Sequence, residues 1–267
     1  MEHVSNGLKK VMGLVTKKPR DMLGFVIIVM IVAFLGFLPV LLLNKSWLDS
    51  SQFIKTFYDA ARNSVAGGTD VLASLNPSNL GAAGYWVFAS SLWRYLILIP
   101  LEIALLLPML KYEKTTNILK NLRFFPAVVA TQVISGFIII ATALVGILVT
   151  IALVAGAAAP FFMIIVLLAV LSLVVVLIIA PFGFVLDGMP LFKSIGFSFN
   201  NSLRHGMVIF LTLIVPSVIV STVNSWIGNI GLVSDFISLA FFVPQYCILH
   251  SVYERMIQDV AKNPANI

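Results

Sequence analysis

The sequence predicts an all-α, polytopic membrane protein in which six transmembrane helices are joined by amphipathic interfacial helices. Of its 267 residues, 60% are hydrophobic and only 10% are charged. Soluble domains carry about 25% charged residues, so this chain has too little charge to cover a globular surface in water. The hydrophobic residues also form long runs, and a membrane-spanning helix needs about 20 apolar residues. Lipid is therefore the solvent that the composition indicates.

Six hydrophobic runs are long enough to span a bilayer. The first follows a basic arm, residues 1–21, and is too long and too poor in cleavage signals to be a signal peptide. Glycine and proline at 156–160 divide the longest apolar stretch into a hairpin of two helices. A tail, residues 254–267, follows the last run. The predicted spans are residues 22–43, 85–110, 127–154, 161–180, 207–223 and 231–253.

The basic residues predict the orientation of these spans. Six spans place both termini on one side of the membrane, and 13 of the 17 Lys and Arg residues fall on that side. Three fall on the opposite side, at Lys45, Lys55 and Arg62, and Arg94 lies within a span. Basic residues collect in cytoplasmic loops. Both termini are therefore expected in the cytoplasm, and the expected location is the plasma membrane.

Two stretches outside the spans, residues 47–65 and 190–205, have the pattern of helices that lie on the membrane surface. The second begins at Pro190, since proline is tolerated at the first helical position. On a helical projection its apolar residues fall within an arc of about 120°: Leu191, Phe192, Ile195, Phe199 and Leu203. Its polar residues lie on the opposite side: Lys193, Asn200 and Arg204. We expect this helix to dock on the bilayer.

Charged residues inside the predicted spans are the candidates for a functional role. Arg94 and Glu102 lie in the second run, where a charge costs at least a few kcal/mol and usually faces protein or water. They are about 12 Å apart along a helix and can share a face without pairing directly. Either they line a polar path for an ion, a proton or a lipid headgroup, or Arg94 reaches the interface while Glu102 bonds to a neighbouring helix. Asp235, in the last run, is an interface residue or a partner for Arg94.

The sequence shows no recognisable enzymatic motif. It has no HExxH zinc motif, no glycine-rich phosphate loop and no nucleophile elbow. His3, His205 and His250 are far apart in sequence, and the single Cys247 excludes an internal disulfide or a cysteine metal site. We therefore expect no catalytic, cofactor-binding or metal-binding residues.

The scattered basic residues also argue against a nucleic-acid partner, which would need a continuous basic face. The partners we expect are membrane lipids and, for an accessory subunit, another membrane protein.

One stretch carries a family resemblance. From Ala180 it reads APFGFVLDGMPLFKSIGFSFNNSLRHGMVIF, in which Ala180-Pro181 precede a short extended turn and Asp187. It resembles the membrane domain attached to some glycerophosphodiester phosphodiesterases and related prokaryotic six-span proteins. Ser198 matches the serine of the family's docking helix, but Phe199 stands where tryptophan is usual. The resemblance implies membrane docking; the family's catalytic domain is missing, so its activity does not carry over.

Together these features predict a non-enzymatic accessory or scaffold component of the plasma membrane. The alternative is a small transporter or lipid-handling protein with a polar path past Arg94 and Glu102. An intramembrane enzyme ranks third, because no nucleophile and base can be identified. The two leading hypotheses differ in whether Glu102 or the docking helix is indispensable.

Overall fold

The computed structural model describes residues 2–43, 92–111, 118–153, 159–227 and 231–262, and all regular secondary structure in these ranges is helical. A five-residue π-helix, Arg94–Leu98, precedes α3, and short 3-10 turns follow α4 (Leu122–Phe124) and α8 (Ser202–His205). The helices are α1 (Glu2–Lys17), α2 (Pro19–Leu43), α3 (Ile99–Lys111), α4 (Ile118–Asn121), α5 (Phe125–Leu153), α6 (Ala159–Leu177), α7 (Ala180–Asp187), α8 (Leu191–Asn201), α9 (Gly206–Ile227) and α10 (Gly231–Lys262).

Five stretches of helix are long and apolar enough to cross a membrane, and they overlap the first, third, fourth, fifth and sixth predicted spans. They are Pro19–Gly36, Ile118–Thr150, Phe161–Asp187, Leu191–Val223 and Phe236–Lys262. The predicted second span, residues 85–110, is described only from residue 92 onward, and the predicted surface helix 47–65 lies outside the described residues. The chain is thus a multi-pass membrane protein, while the count of six spans stays a prediction.

The surfaces of α5, α6 and α9 are those of lipid-facing helices. Large apolar side chains are exposed along all three, among them Phe137, Phe161 and Val218. Monomeric soluble proteins rarely expose contiguous apolar surface on this scale. A hydrocarbon solvent removes the cost of that exposure.

The C-terminal half of α10 lies at the centre of the helix bundle. Its buried side chains include Tyr246, Cys247, Leu249 and Tyr253, and α1, α2, α3 and α9 all pack against this helix. Phe182 of α7 is fully buried and stacks on Tyr246 at a centroid distance of 5.9 Å. The helix continues to Lys262, nine residues past the predicted end of the last span.

The N-terminal arm forms a helix that packs against α10. Gly7 and Leu14 of α1 are buried, and Lys10 forms an ion pair of 2.6 Å with Glu254. The helix ends at Lys17, and Pro19, which lacks an N–H group, begins α2. From the sequence, this arm was predicted only as a basic segment. The pattern that indicates a packed helix is the regular spacing of the residues that pack: His3, Gly7, Lys10 and Leu14.

We predict opposite effects for the same substitution at two glycines of α1. A Cβ atom at Gly7 would lie 2.8 Å from the Cα of Ile248, whereas one at Gly13 meets no described atom within 4 Å. Gly7→Ala should lower the free energy of unfolding by about 1–3 kcal/mol through overpacking. Gly13→Ala should raise it by about 0.5–1 kcal/mol, since alanine is the better helix former. Thermal unfolding in detergent micelles measures both, and equal shifts would show that α1 is not packed on α10.

Candidate functional site

A helix break at Pro181 lies at the centre of the candidate site. Helix α6 ends at Leu177, Ile178 and Ile179 form a turn, and α7 begins at Ala180. Proline has no N–H group with which to continue the hydrogen-bond ladder of the preceding helix. The sequence-based expectation of a short extended turn after Pro181 is wrong, because proline is tolerated in the first turn of a new helix and residues Ala180–Asp187 are helical.

Three serines of α8 and the turn after it supply hydrogen-bond donors at this break. Ser194, Ser198 and Ser202 are spaced by four residues and fully buried. Ser194 Oγ donates to the carbonyl of Ala180, and Ser198 Oγ donates to that of Val176. Ser202 Oγ lies 3.4 Å from the same Val176 oxygen and 3.2 Å from Ser198 Oγ. We call these three residues the serine clamp.

The corner between α7 and α8 is built on two glycines. Ser194 packs closely on Gly183. A Cβ atom added at Gly183 would lie 3.3 Å from the Cβ of Ser194. Gly188 adopts a left-handed conformation with φ of 65°, which costs glycine little. The N–H of Gly188 donates to the carbonyl of Phe184 at 3.2 Å, and the N–H of Met189 donates to the carbonyl of Gly183 at 3.1 Å. The chain can therefore reverse closely enough for α8 to reach the break.

Asp187 ties this corner to two other helices. Tyr253 of α10 donates its hydroxyl to the Asp187 carboxylate. The Lys111 ammonium group, at the end of α3, lies 3.8 Å from the same carboxylate and donates to the carbonyl of Leu186. The ends of α3, α7 and α10 are therefore fastened at one point.

Helix α8 presents three different faces. The serine clamp, Ile195 and Asn201 face the protein and are buried. A second face is apolar and exposed: Phe192 (77%), Phe199 (37%) and Leu203 (65%). A third face is polar and exposed: Lys193, Asn200 and Arg204.

The sequence predicted the helix and its apolar arc, but it grouped Leu191 and Ile195 with the exposed apolar residues. The structure has Leu191 half-buried and Ile195 buried against the protein. The serine stripe was missed, although its signal, one serine every four residues, is present in the sequence.

Arg94 and Glu102 lie in different environments. Arg94 is exposed at the start of the π-helix, a conformation that shifts the angular register of a helix and is frequent at functional sites. Glu102 is only 7% exposed in α3, and this helix packs against α10. The side chain of Asp235 lies outside the described residues, so its pairing with Arg94 stays a prediction.

The three histidines, although distant in sequence, are gathered along α10. The rings of His3 and His205 meet edge to face with centroids 5.7 Å apart, and His205 Nε2 lies 3.6 Å from the Asp259 carboxylate. His250 accepts a contact from the Lys10 ammonium group through Nδ1. Within the described ranges no three His, Cys, Asp or Glu side chains are grouped to hold a metal ion.

No protein-family model, no curated protein and no solved structure matches this chain. The resemblance of the α7–α8 segment to the glycerophosphodiester phosphodiesterase membrane domain therefore stays a prediction.

We predict that Ser198→Ala destabilises the protein far more than the same change in a serine that bonds only to its own helix. Loss of the Ser198 hydroxyl leaves the Val176 carbonyl with only the longer 3.4 Å contact from Ser202, and an undersatisfied buried carbonyl costs about 1–3 kcal/mol. The matched control is Ser172→Ala on α6, whose exposed hydroxyl bonds to Leu168 at 2.8 Å. Thermal unfolding midpoints in detergent compare the two. Equal midpoints would mean that the clamp does not hold α8.

Proposed function

We propose that this chain is a non-enzymatic accessory or scaffold component of the plasma membrane, with six spans and both termini in the cytoplasm. In this proposal α8 lies at the cytoplasmic interface, held at a fixed angle by the serine clamp. The observation that carries the proposal is the division of α8 into a buried, an apolar exposed and a polar exposed face.

These three faces match the three surroundings of a helix that lies on a membrane surface against the spans. An interfacial helix buries its apolar face at the boundary of headgroups and acyl chains and keeps its basic face in water. Phe192, Phe199 and Leu203 supply the first face, while Lys193 and Arg204 supply positive charge for anionic headgroups. The buried face, which contains the serine clamp, is bonded to the spans, so the helix cannot roll. A surface element fixed in this way suits a scaffold better than a moving lid.

The same pattern in α1 supports an interfacial position for that helix too. Its face toward α10 contains Gly7 and Leu14. A second face exposes apolar side chains, namely Val4, Leu8, Met12 and Val15. The remaining exposed residues are polar, Lys9 among them. Two helices at one end of the bundle thus offer apolar surface beside basic residues.

The meeting of the two ends of the chain supports an even number of spans. His3, near the N-terminus, contacts His205, which in turn lies beside Asp259 near the C-terminal end of α10. Residues on one side of a membrane can make such contacts only if the spans between them are even in number. The Lys111–Asp187 pair joins the remaining segment that the basic-residue count assigns to the cytoplasm, which contains Lys111, to the segment of His205.

A transporter or lipid-handling protein remains the second candidate, and Glu102 is the residue that favours it. Acidic side chains within spans often mark ion or proton pathways, and Glu102 is buried in α3, which packs against α10. A scaffold needs this carboxyl group only for packing and hydrogen bonding, which an amide can largely replace.

We predict that Glu102→Gln and Phe199→Glu separate the two candidates. For a scaffold, Glu102→Gln should leave both the unfolding midpoint and the membrane contacts of α8 unchanged. Phe199→Glu should remove those contacts, since a charge cannot rest in the acyl region without a cost of a few kcal/mol. Parallax quenching of a fluorophore at Asn200 reports the depth of α8 in both variants. Phe192→Ala, which keeps the face apolar, is the control for Phe199→Glu.

The transport candidate makes the contrary prediction for the same pair. In proteoliposomes loaded with a pH-sensitive dye, a proton-coupled transporter should show flux that Glu102→Gln abolishes and Phe199→Glu retains. Flux in the wild-type protein that is lost in a folded Glu102→Gln variant would contradict the scaffold proposal.

A further inference from the structure

An apolar groove lies where α1, α2 and the N-terminal half of α10 meet. Its volume is about 230 Å³. The side chains of Val15 and Phe236 are 53% and 56% exposed, so the groove is open to the surroundings along one side. The lining residues are all apolar: Val11, Val15, Met22, Val26, Phe236, Leu239, Ala240, Val243 and Pro244.

The size and lining of this groove indicate a hydrocarbon chain as its occupant. An apolar cavity of about 150 Å³ stays dry and admits benzene, and a buried water needs two to four polar partners. Pockets for drug-sized ligands run from about 300 to 1,000 Å³. At about 230 Å³ the groove suits a length of aliphatic chain. A bilayer supplies such chains at very high local concentration.

The exposed charge at one end of the groove is positive. Lys17 and Arg20 are exposed and flank the junction of α1 and α2, between the groove residues Val15 and Met22. The other two charges of the junction are buried: Lys18 donates to the Met109 carbonyl at 2.6 Å, and Asp21 is 7% exposed. A lipid phosphate at this position would meet two basic side chains, and basic residues near the membrane surface attract anionic headgroups.

We propose that this groove is a binding site for one anionic phospholipid, with an acyl chain against α10 and the phosphate between Lys17 and Arg20. The site joins α1 to the spans through a bound lipid as well as through protein contacts. It goes beyond the scaffold role and requires only that the chain lie in a bilayer, so it holds equally for a transporter.

Native mass spectrometry of the protein released from nanodiscs tests this site. The nanodiscs contain equal amounts of phosphatidylglycerol and phosphatidylcholine of identical acyl chains. The wild-type protein should retain one phospholipid, with phosphatidylglycerol in excess. Each basic residue near the headgroup is expected to contribute about fivefold to that preference. Lys17→Gln with Arg20→Gln should therefore bring the ratio close to one, whereas Lys9→Gln, an exposed lysine elsewhere on α1, should leave it unchanged.

Filling the groove tests the acyl chain separately from the headgroup. Ala240→Phe projects a ring into the groove and should reduce the retained lipid at least tenfold. Ala169→Phe, the same change at an exposed alanine of α6, is the matched control. If size-exclusion chromatography shows that Ala240→Phe is misfolded, Ala240→Leu replaces it. Equal lipid retention in the folded groove and control variants would overturn the proposal, as would a lipid ratio that Lys17→Gln with Arg20→Gln leaves unchanged.

Discussion

The fold depends on how the protein satisfies backbone carbonyl groups at a helix break inside an apolar environment. In lipid no water is available for these groups, so each must find a partner within the protein. Pro181 interrupts a stretch of helix long enough to span the membrane. The hydroxyls of Ser194 and Ser198 supply donors to the carbonyls of Ala180 and Val176, which both precede it in the chain. The break therefore specifies where α8 must lie.

The position of α8 in turn determines what the α7–α8 end of the bundle presents. With its serines turned inward, the helix has to expose Phe192, Phe199 and Leu203 on one side and its basic residues on another. The same corner is fastened to α3 and α10 through Asp187. An ion pair between Lys10 and Glu254 then joins α1 to α10. Polar contacts therefore connect segments that are far apart in the chain.

Composition and periodicity predicted the features that depend on neighbouring residues alone. The apolar runs predicted helices long enough to span a bilayer, and the spacing of Phe192, Phe199 and Leu203 predicted a helix with an apolar side. The serine clamp could not be predicted with equal ease, because exposed helices also carry serines and the partners of these serines lie 14 and 22 residues away. Helix α7 was missed because proline ends one helix as readily as it begins another.

Site-directed spin labelling of α8 in lipid bilayers tests the central claim most directly. Labels would be placed singly at residues 192 to 204 in a protein whose one cysteine, Cys247, is replaced by alanine. Labels at 192, 199 and 203 should collide mainly with oxygen, those at 193, 200 and 204 mainly with a water-soluble nickel complex, and those at 194, 198 and 202 with neither. Uniform access of the nickel complex to all positions would contradict the account, because α8 would then be a helix in water rather than one clamped at the membrane surface.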